Sequence, residues 1–229
     1  MAWRAYLAGE AFDLETFESL FGRGRDSCVG KDEGGHFLAE PAIRDAPTAG
    51  DAFNAALSLL PLLNGAARVL EGAHRSVTLS GAIADQSGNR HVFLSAELSA
   101  RGRLSLYASV AGGAGEDLNP SGIELLHRVL SVPKLAQAVR ELGGQAAGWP
   151  ELYKAYELLS DAAGGEPTLI KKFSLSRSAV SAFRASANRA DVSGSDARHA
   201  VNKGAPPAHT LTIAEGRAFI FRLIATWPA

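Results

Sequence analysis

The spacing of apolar residues changes near the middle of this chain of 229 residues. Before residue 111, apolar and polar side chains alternate in three β-rich runs joined by hairpin-type turns, over residues 77–83, 91–98 and 104–110. After residue 122, apolar side chains recur at the spacing of amphipathic helices. The stretch between them is rich in Gly and Pro and has no periodicity. We therefore predict an α+β fold, with an α+β unit over residues 1–111, a linker over 112–121 and an all-α helical bundle over 122–229.

The N-terminal unit is expected to combine its antiparallel sheet with one long helix. Apolar positions follow helical spacing over residues 52–70, with Thr48 or Asp51 near the start. Pro61 lies inside this segment and is predicted to kink or interrupt the helix, because proline removes a backbone donor. An earlier short helix is predicted to be capped by Asp13.

The C-terminal part is expected to be a bundle of helices. Five helices are predicted, over residues 123–132, 134–142, 150–162, 176–187 and 212–226. Thr212 and Glu215 match a capping box, which marks the start of the last helix. Two apolar stripes are interpreted as core. They consist of Ile213, Ile220, Leu223 and Trp227 in the last helix, and of Trp149, Leu152, Tyr153, Tyr156 and Leu159 in the third.

Composition excludes several classes of protein. The chain is 46% hydrophobic and 21% charged, as in ordinary globular proteins. Cys28 is its one cysteine, so no internal disulfide can form, and we expect a reducing compartment. With no phosphate-binding glycine motif and no Cys or His pair at ligand spacing, we expect no cofactor and no metal. With no signal peptide and no uninterrupted apolar run of membrane length, we expect a cytoplasmic, bacterial protein without a membrane partner.

Basic residues are concentrated towards the C-terminus, although the whole chain has a net charge of -1. Residues 169–229 contain nine Lys or Arg and three Asp or Glu. The candidate site residues lie in this region, between the last two predicted helices: Arg184, Asn188, Arg189, Arg198, His199 and Lys203. Three interpretations are open. The segment is a capped connection between helices, a basic surface that binds phosphates, or a catalytic site with His199 as general base.

A basic, all-α domain with an Arg/His element between its last helices resembles the HEPN superfamily (higher eukaryotes and prokaryotes nucleotide-binding). The resemblance covers residues 122–229 and implies a helical, homodimeric domain, which in active members is a metal-independent ribonuclease. Those members have an Arg, then a polar residue, then four to six further residues and a His. Here Arg198 and His199 are adjacent, and Arg189 precedes His199 by ten positions. Neither spacing matches, so the nuclease activity is not carried over.

The sequence therefore favours a non-enzymatic interaction module, with no catalytic residue assigned. Its expected partner is RNA or a protein, bound through the basic C-terminal surface. A HEPN-type ribonuclease and a structural component of a multi-protein bacterial assembly are the alternatives.

Overall fold

The computed structural model describes residues 2–24, 26–93, 121–144, 147–197 and 208–228. In this part of the chain the strands form one sheet in the order β2-β3-β1-β4-β5, and every neighbouring pair is antiparallel. The strands are β1 (Arg4–Ala8), β2 (Val29–Asp32), β3 (Gly35–Leu38), β4 (Thr78–Ala84) and β5 (Arg90–Val92). The predicted hairpin between β4 and β5 is confirmed. The predicted strand 104–110 and most of 91–98 lie outside the described residues.

The helices confirm the predicted α+β class, with an antiparallel sheet and a long helix followed by mostly helical structure. They are α1 (Ala11–Phe21), α2 (Pro41–Arg44), α3 (Ala49–Glu71), α4 (Gly122–Ser131), α5 (Pro133–Glu141), α6 (Trp149–Ala162), α7 (Glu166–Lys172), α8 (Arg177–Asn188), α9 (Ala190–Ser193) and α10 (Ile213–Ala225). A 3₁₀ turn, Gly194–Asp196, follows α9. The five predicted C-terminal helices are all present, and α7 and α9 are additional.

Helix α3 is the central element of the fold. It begins after Thr48, whose hydroxyl accepts a hydrogen bond from the Asp51 amide at 3.2 Å, and it continues through Pro61. Of the two predicted effects of Pro61, interruption of the helix was therefore wrong, and a kink stays a prediction. By length and composition α3 could cross a membrane, but 56% of its most apolar window is buried inside the structure. That burial is typical of a core helix in a globular protein.

Asp13 has a different role from the predicted helix cap. The N-cap of α1 is Glu10, and Asp13 is buried one turn into the helix. Its carboxylate accepts a hydrogen bond from the backbone amide of Arg75 at 3.0 Å. Asp13 therefore fixes the chain segment that leads into β4, a long-range contact that local capping rules do not include.

The N-terminal and C-terminal parts pack around α3 in one continuous hydrophobic core. Helix α3 contacts β4, α1 and α2 from the N-terminal part and α4, α5 and α10 from the C-terminal part. The approach to α5 is so close that a Cβ on Gly65 would lie 1.9 Å from the carbonyl oxygen of Val139. The predicted linker lies outside the described residues apart from Ser121, so the proposed division into two units stays a prediction.

A buried arginine adds polar contacts between the two parts. Arg68 of α3 is 6% exposed. Its guanidinium donates to the carbonyl oxygens of His74 at 3.2 Å and Leu142 at 2.5 Å, and to the Ser76 hydroxyl at 2.8 Å. Because a buried polar group without a partner is costly, these bonds fix the loop after α3 against the loop after α5.

Candidate functional site

Helices α7 and α8 form the sides of an open groove of about 820 Å³, which we call the α7–α8 groove. Three of the six predicted site residues line it: Arg184, Asn188 and Arg189. Its other lining residues are Glu166, Pro167, Ile170, Arg177, Val180, Ser181 and Ala185. The remaining predicted residues, Arg198, His199 and Lys203, lie outside the described part of the chain.

Local sequence sets the two helices that form the groove. Gly164 and Gly165 both adopt positive φ, 84° and 113°, and turn the chain from α6 into α7. Pro167 then occupies a first-turn position of α7, where a missing amide costs little. At the start of α8 the Ser176 hydroxyl accepts a hydrogen bond from the Ala179 amide at 3.1 Å.

The amphipathic pattern of α8 separates its core face from its groove face. Phe183 points into the core, where its ring packs against Trp149, Tyr156 and Phe219 at centroid distances of 6.0, 5.3 and 5.0 Å. The residues at 177, 181, 184 and 188 recur at intervals of three or four and therefore share the opposite face. In the stripe predicted as core, Trp149, Leu152, Tyr156 and Leu159 are buried and Tyr153 is partly buried.

The floor of the groove is apolar, and its rim is charged. Val180 and Ala185 of α8 are 4% and 8% exposed, and Ile170 of α7 lies beside them in the lining. In the described part of the chain, the lining contains three Arg side chains and one carboxylate, that of Glu166. The groove therefore combines an apolar surface with an excess of positive charge.

Arg184 has donors that its ion pair does not use. One nitrogen, Nη1, lies 3.2 and 3.3 Å from the two carboxylate oxygens of Glu166. Neither Nε nor Nη2 forms a hydrogen bond with a described residue. About half of the Arg184 side chain, 49%, is exposed. A guanidinium presents five N–H donors, so Arg184 can bind an acceptor in the groove while it keeps its contact with Glu166.

Arg189, in contrast, is held by a two-point ion pair. Its Nε and Nη2 lie 2.9 and 2.7 Å from the two carboxylate oxygens of Asp191, which is the strong fork geometry. These bonds hold the pKa of the Asp191 carboxyl below its ordinary value, and the Arg189 side chain is only 14% exposed. The charge of Arg189 is therefore largely neutralised within its own turn.

Arg177 and Asn188 lie at opposite ends of α8. Arg177 is exposed in the first helical turn, which contains no acidic residue, and it makes no ion pair with the rest of the described structure. The side-chain nitrogen Nδ2 of Asn188 donates to the backbone carbonyl oxygen of Arg184 at 2.9 Å, in the last turn of α8. Its side-chain oxygen is buried without a hydrogen-bond partner among the described residues.

A second cleft, of about 310 Å³, lies between the β2–β3 turn and the β4–β5 hairpin. Here Arg4 Nη1 and the Tyr6 hydroxyl both donate to Asp32, at 2.8 and 2.9 Å. Arg90 lies over the Tyr6 ring, 5.2 Å from its centroid. The polar groups of this cleft largely satisfy one another, so it is a weaker candidate than the α7–α8 groove.

Neither the lone thiol nor the buried His74 has the surroundings of a catalytic group. Burial raises the pKa of the Cys28 thiol to about 12, so it is protonated at neutral pH. The His74 side chain is fully buried and stacks on Phe17 at 5.1 Å, without access to solvent. Within the described residues, no group of three or more His, Cys, Asp or Glu side chains is placed to hold a metal ion.

Comparison with known proteins gives no relative. No family model matches the chain, and neither a curated protein nor a solved structure matches it significantly. The function has to be inferred from the chemistry of the groove.

Sequence reasoning missed Glu166, the one acidic residue among the described residues that line the groove. The available signal was the run Gly164, Gly165, Glu166 and Pro167, in which two glycines end a helix and a proline begins the next. That run locates α7. It does not show that Glu166 contacts an arginine 18 residues later in the chain.

Proposed function

We propose that this protein is a non-enzymatic interaction module that binds an acidic segment of a protein partner in the α7–α8 groove. The observation that carries the proposal is the pair Arg177 and Arg184. The two lie two turns apart on one face of α8, on either side of the buried Val180, and both have guanidinium donors that no described residue uses. Two separated cations above an apolar floor suit a ligand with two separated carboxylates and apolar groups between them.

The groove floor favours a protein segment over RNA. None of the lining residues within the described chain is aromatic, whereas single-stranded nucleic acid is usually held by bases stacked on aromatic rings. The Arg189 guanidinium is already paired with the Asp191 carboxylate, so little of its positive charge is available to a phosphate. Val180 and Ile170 instead offer the apolar contact that a peptide side chain needs.

The spacing of the two arginines suggests the form of the partner segment. Seven residues of α-helix span about 10.5 Å. A partner helix that lies along α8 would place carboxylates seven positions apart opposite Arg177 and Arg184, with apolar residues between them. This is the arrangement of helix-in-groove recognition. In this proposal the protein works in a reducing compartment such as the bacterial cytoplasm.

The test uses the full chain and a designed helical peptide with two Glu residues seven positions apart, Leu and Ala on the same face, and Gln elsewhere. Fluorescence anisotropy should show saturable binding that the double variant Arg177→Glu, Arg184→Glu abolishes. Arg23→Glu, at an exposed position between α1 and β2, makes the same type of charge change outside the groove and should leave binding intact.

Two results would contradict the proposal. One is the absence of peptide binding at low salt in a folded wild-type chain. The other is metal-independent cleavage of RNA by the purified chain that is lost in His199→Ala, because this would support the ribonuclease implied by the HEPN resemblance.

A further inference from the structure

We infer that Glu166 is a selectivity residue, which makes the α7–α8 groove accept a segment with spaced carboxylates and reject a continuous polyanion such as RNA. The inference rests on the proposed function, since it concerns the ligand of the same groove. It assigns a role to Glu166, the one carboxylate among the described lining residues, on a surface otherwise rich in arginine.

Glu166 is held in the groove by a buried tyrosine. The Tyr156 hydroxyl donates to Glu166 Oε2 at 2.9 Å, and Tyr156 itself is 2% exposed. Burial and this contact with Glu166 raise the pKa of the tyrosine hydroxyl, so Tyr156 remains a proton donor. With Arg184 on its other side at 3.2 Å, the carboxylate is fixed between two donors.

A fixed carboxylate in this position weakens the binding of a polyanion more than the binding of a peptide with two spaced carboxylates. The groove face of α8 from Arg177 to Asn188 is about 16 Å long, and each strand of a nucleic-acid helix carries a phosphate roughly every 3 Å of rise. About five phosphates would therefore lie along the groove, and several would be repelled by Glu166 at close range.

A peptide helix can avoid most of that repulsion. Its acidic side chains occupy only the positions opposite Arg177 and Arg184, and uncharged residues occupy the rest. One of its two carboxylates is far from Glu166, because Arg177 lies two turns away along α8. Glu166 therefore weakens peptide binding slightly and RNA binding strongly.

The experiment compares Glu166→Gln with the wild-type chain in binding to two probes, the designed acidic peptide and an RNA duplex of about the same length. Glutamine retains the size of the side chain and its ability to accept the Tyr156 hydrogen bond, but it removes the charge. We expect the RNA affinity to rise about tenfold or more, and the peptide affinity to rise less than about threefold. Glu15→Gln, at an exposed position on α1, makes the same change in net charge and should change neither affinity.

Equal gains for the two probes in Glu166→Gln would overturn the inference, and so would an RNA gain of the same size in Glu15→Gln. If the wild-type chain does not bind the peptide at all, the proposed function fails instead. Circular dichroism and thermal melts of each variant verify that it remains folded, and Glu166→Ala provides a second charge-removing variant.

Discussion

Gly65 of α3 lies so close to Val139 of α5 that a Cβ at Gly65 would be 1.9 Å from the Val139 carbonyl oxygen. Alanine is normally the better helix former. Here, however, its Cβ would clash with the backbone of α5, which cannot move away as a flexible side chain can. We predict that Gly65→Ala lowers the free energy of unfolding by about 3 kcal/mol or more. Gly50→Ala, in the first turn of the same helix, meets only the Thr48 hydroxyl at 3.7 Å and should be neutral or slightly stabilising. Urea melts that show equal effects for the two variants would contradict this packing.

The buried imidazole of His74 should make stability depend on pH. Burial, and to a smaller extent the charge of Arg68, lower the pKa of His74 to about 4, although Asp13 nearby opposes this shift. The unfolded chain binds the proton from about pH 6.5 downwards. The stabilisation is therefore complete above pH 6.5 and is lost as the pH falls towards 4, by up to about 3 kcal/mol.

His74→Gln isolates this contribution, because glutamine does not titrate. Urea melts of both proteins between pH 7.5 and pH 4 should show a steeper loss of stability in the wild-type chain. Parallel curves would mean that other groups cause the acid sensitivity.

Arg177 lies at the positive end of the α8 dipole, where a cation is unfavourable to the folded chain. Arg177→Glu should therefore raise the free energy of unfolding by about 0.3–1 kcal/mol while it weakens binding of the acidic peptide. Arg222→Glu, in the last turn of α10, makes the same substitution at the opposite end of a helix and should be destabilising. Loss of stability in Arg177→Glu would show that this arginine has a structural role.

The two ion pairs of the groove predict different outcomes for Arg184 and Arg189. Arg184→Ala removes a guanidinium with unused donors and should weaken peptide binding about tenfold, as the loss of a charged hydrogen bond does. Arg189→Ala removes a guanidinium already held by Asp191 and should weaken binding less than about threefold. Titrations at one salt concentration measure both, and the reverse order would contradict the assignment.

Local patterns predicted the elements that local interactions stabilise. The capping box at the start of α10 is present, with the Thr212 amide donating to Glu215 Oε2 at 2.7 Å and the Glu215 amide to the Thr212 hydroxyl at 3.3 Å. Ile220, Leu223 and Trp227 are buried as the helical spacing predicts. These features depend on residues a few positions apart, so they can be inferred from sequence.

Long-range contacts determined the rest. Asp13 resembles a helix cap, but its partner is the amide of Arg75, 62 positions later. The sequence placed Arg184 and Arg189 in one basic set. The pair of Arg189 with Asp191, two positions apart, is local, whereas the contacts of Arg184 with Glu166 and of Asp13 with Arg75 join residues 18 and 62 positions apart. Such pairings depend on how helices meet, which single-sequence periodicity does not contain.

The position of α3 has a consequence for how the chain behaves when it is cut. The helix contacts β4 and α2, which lie before residue 93, and α5 and α10, which lie after residue 121. Two fragments separated between residues 93 and 121 would each expose apolar surface that only the other fragment fits. We expect such a pair to reassemble when co-expressed, and the chain would then serve as a split protein whose reassembly reports the proximity of two fused partners.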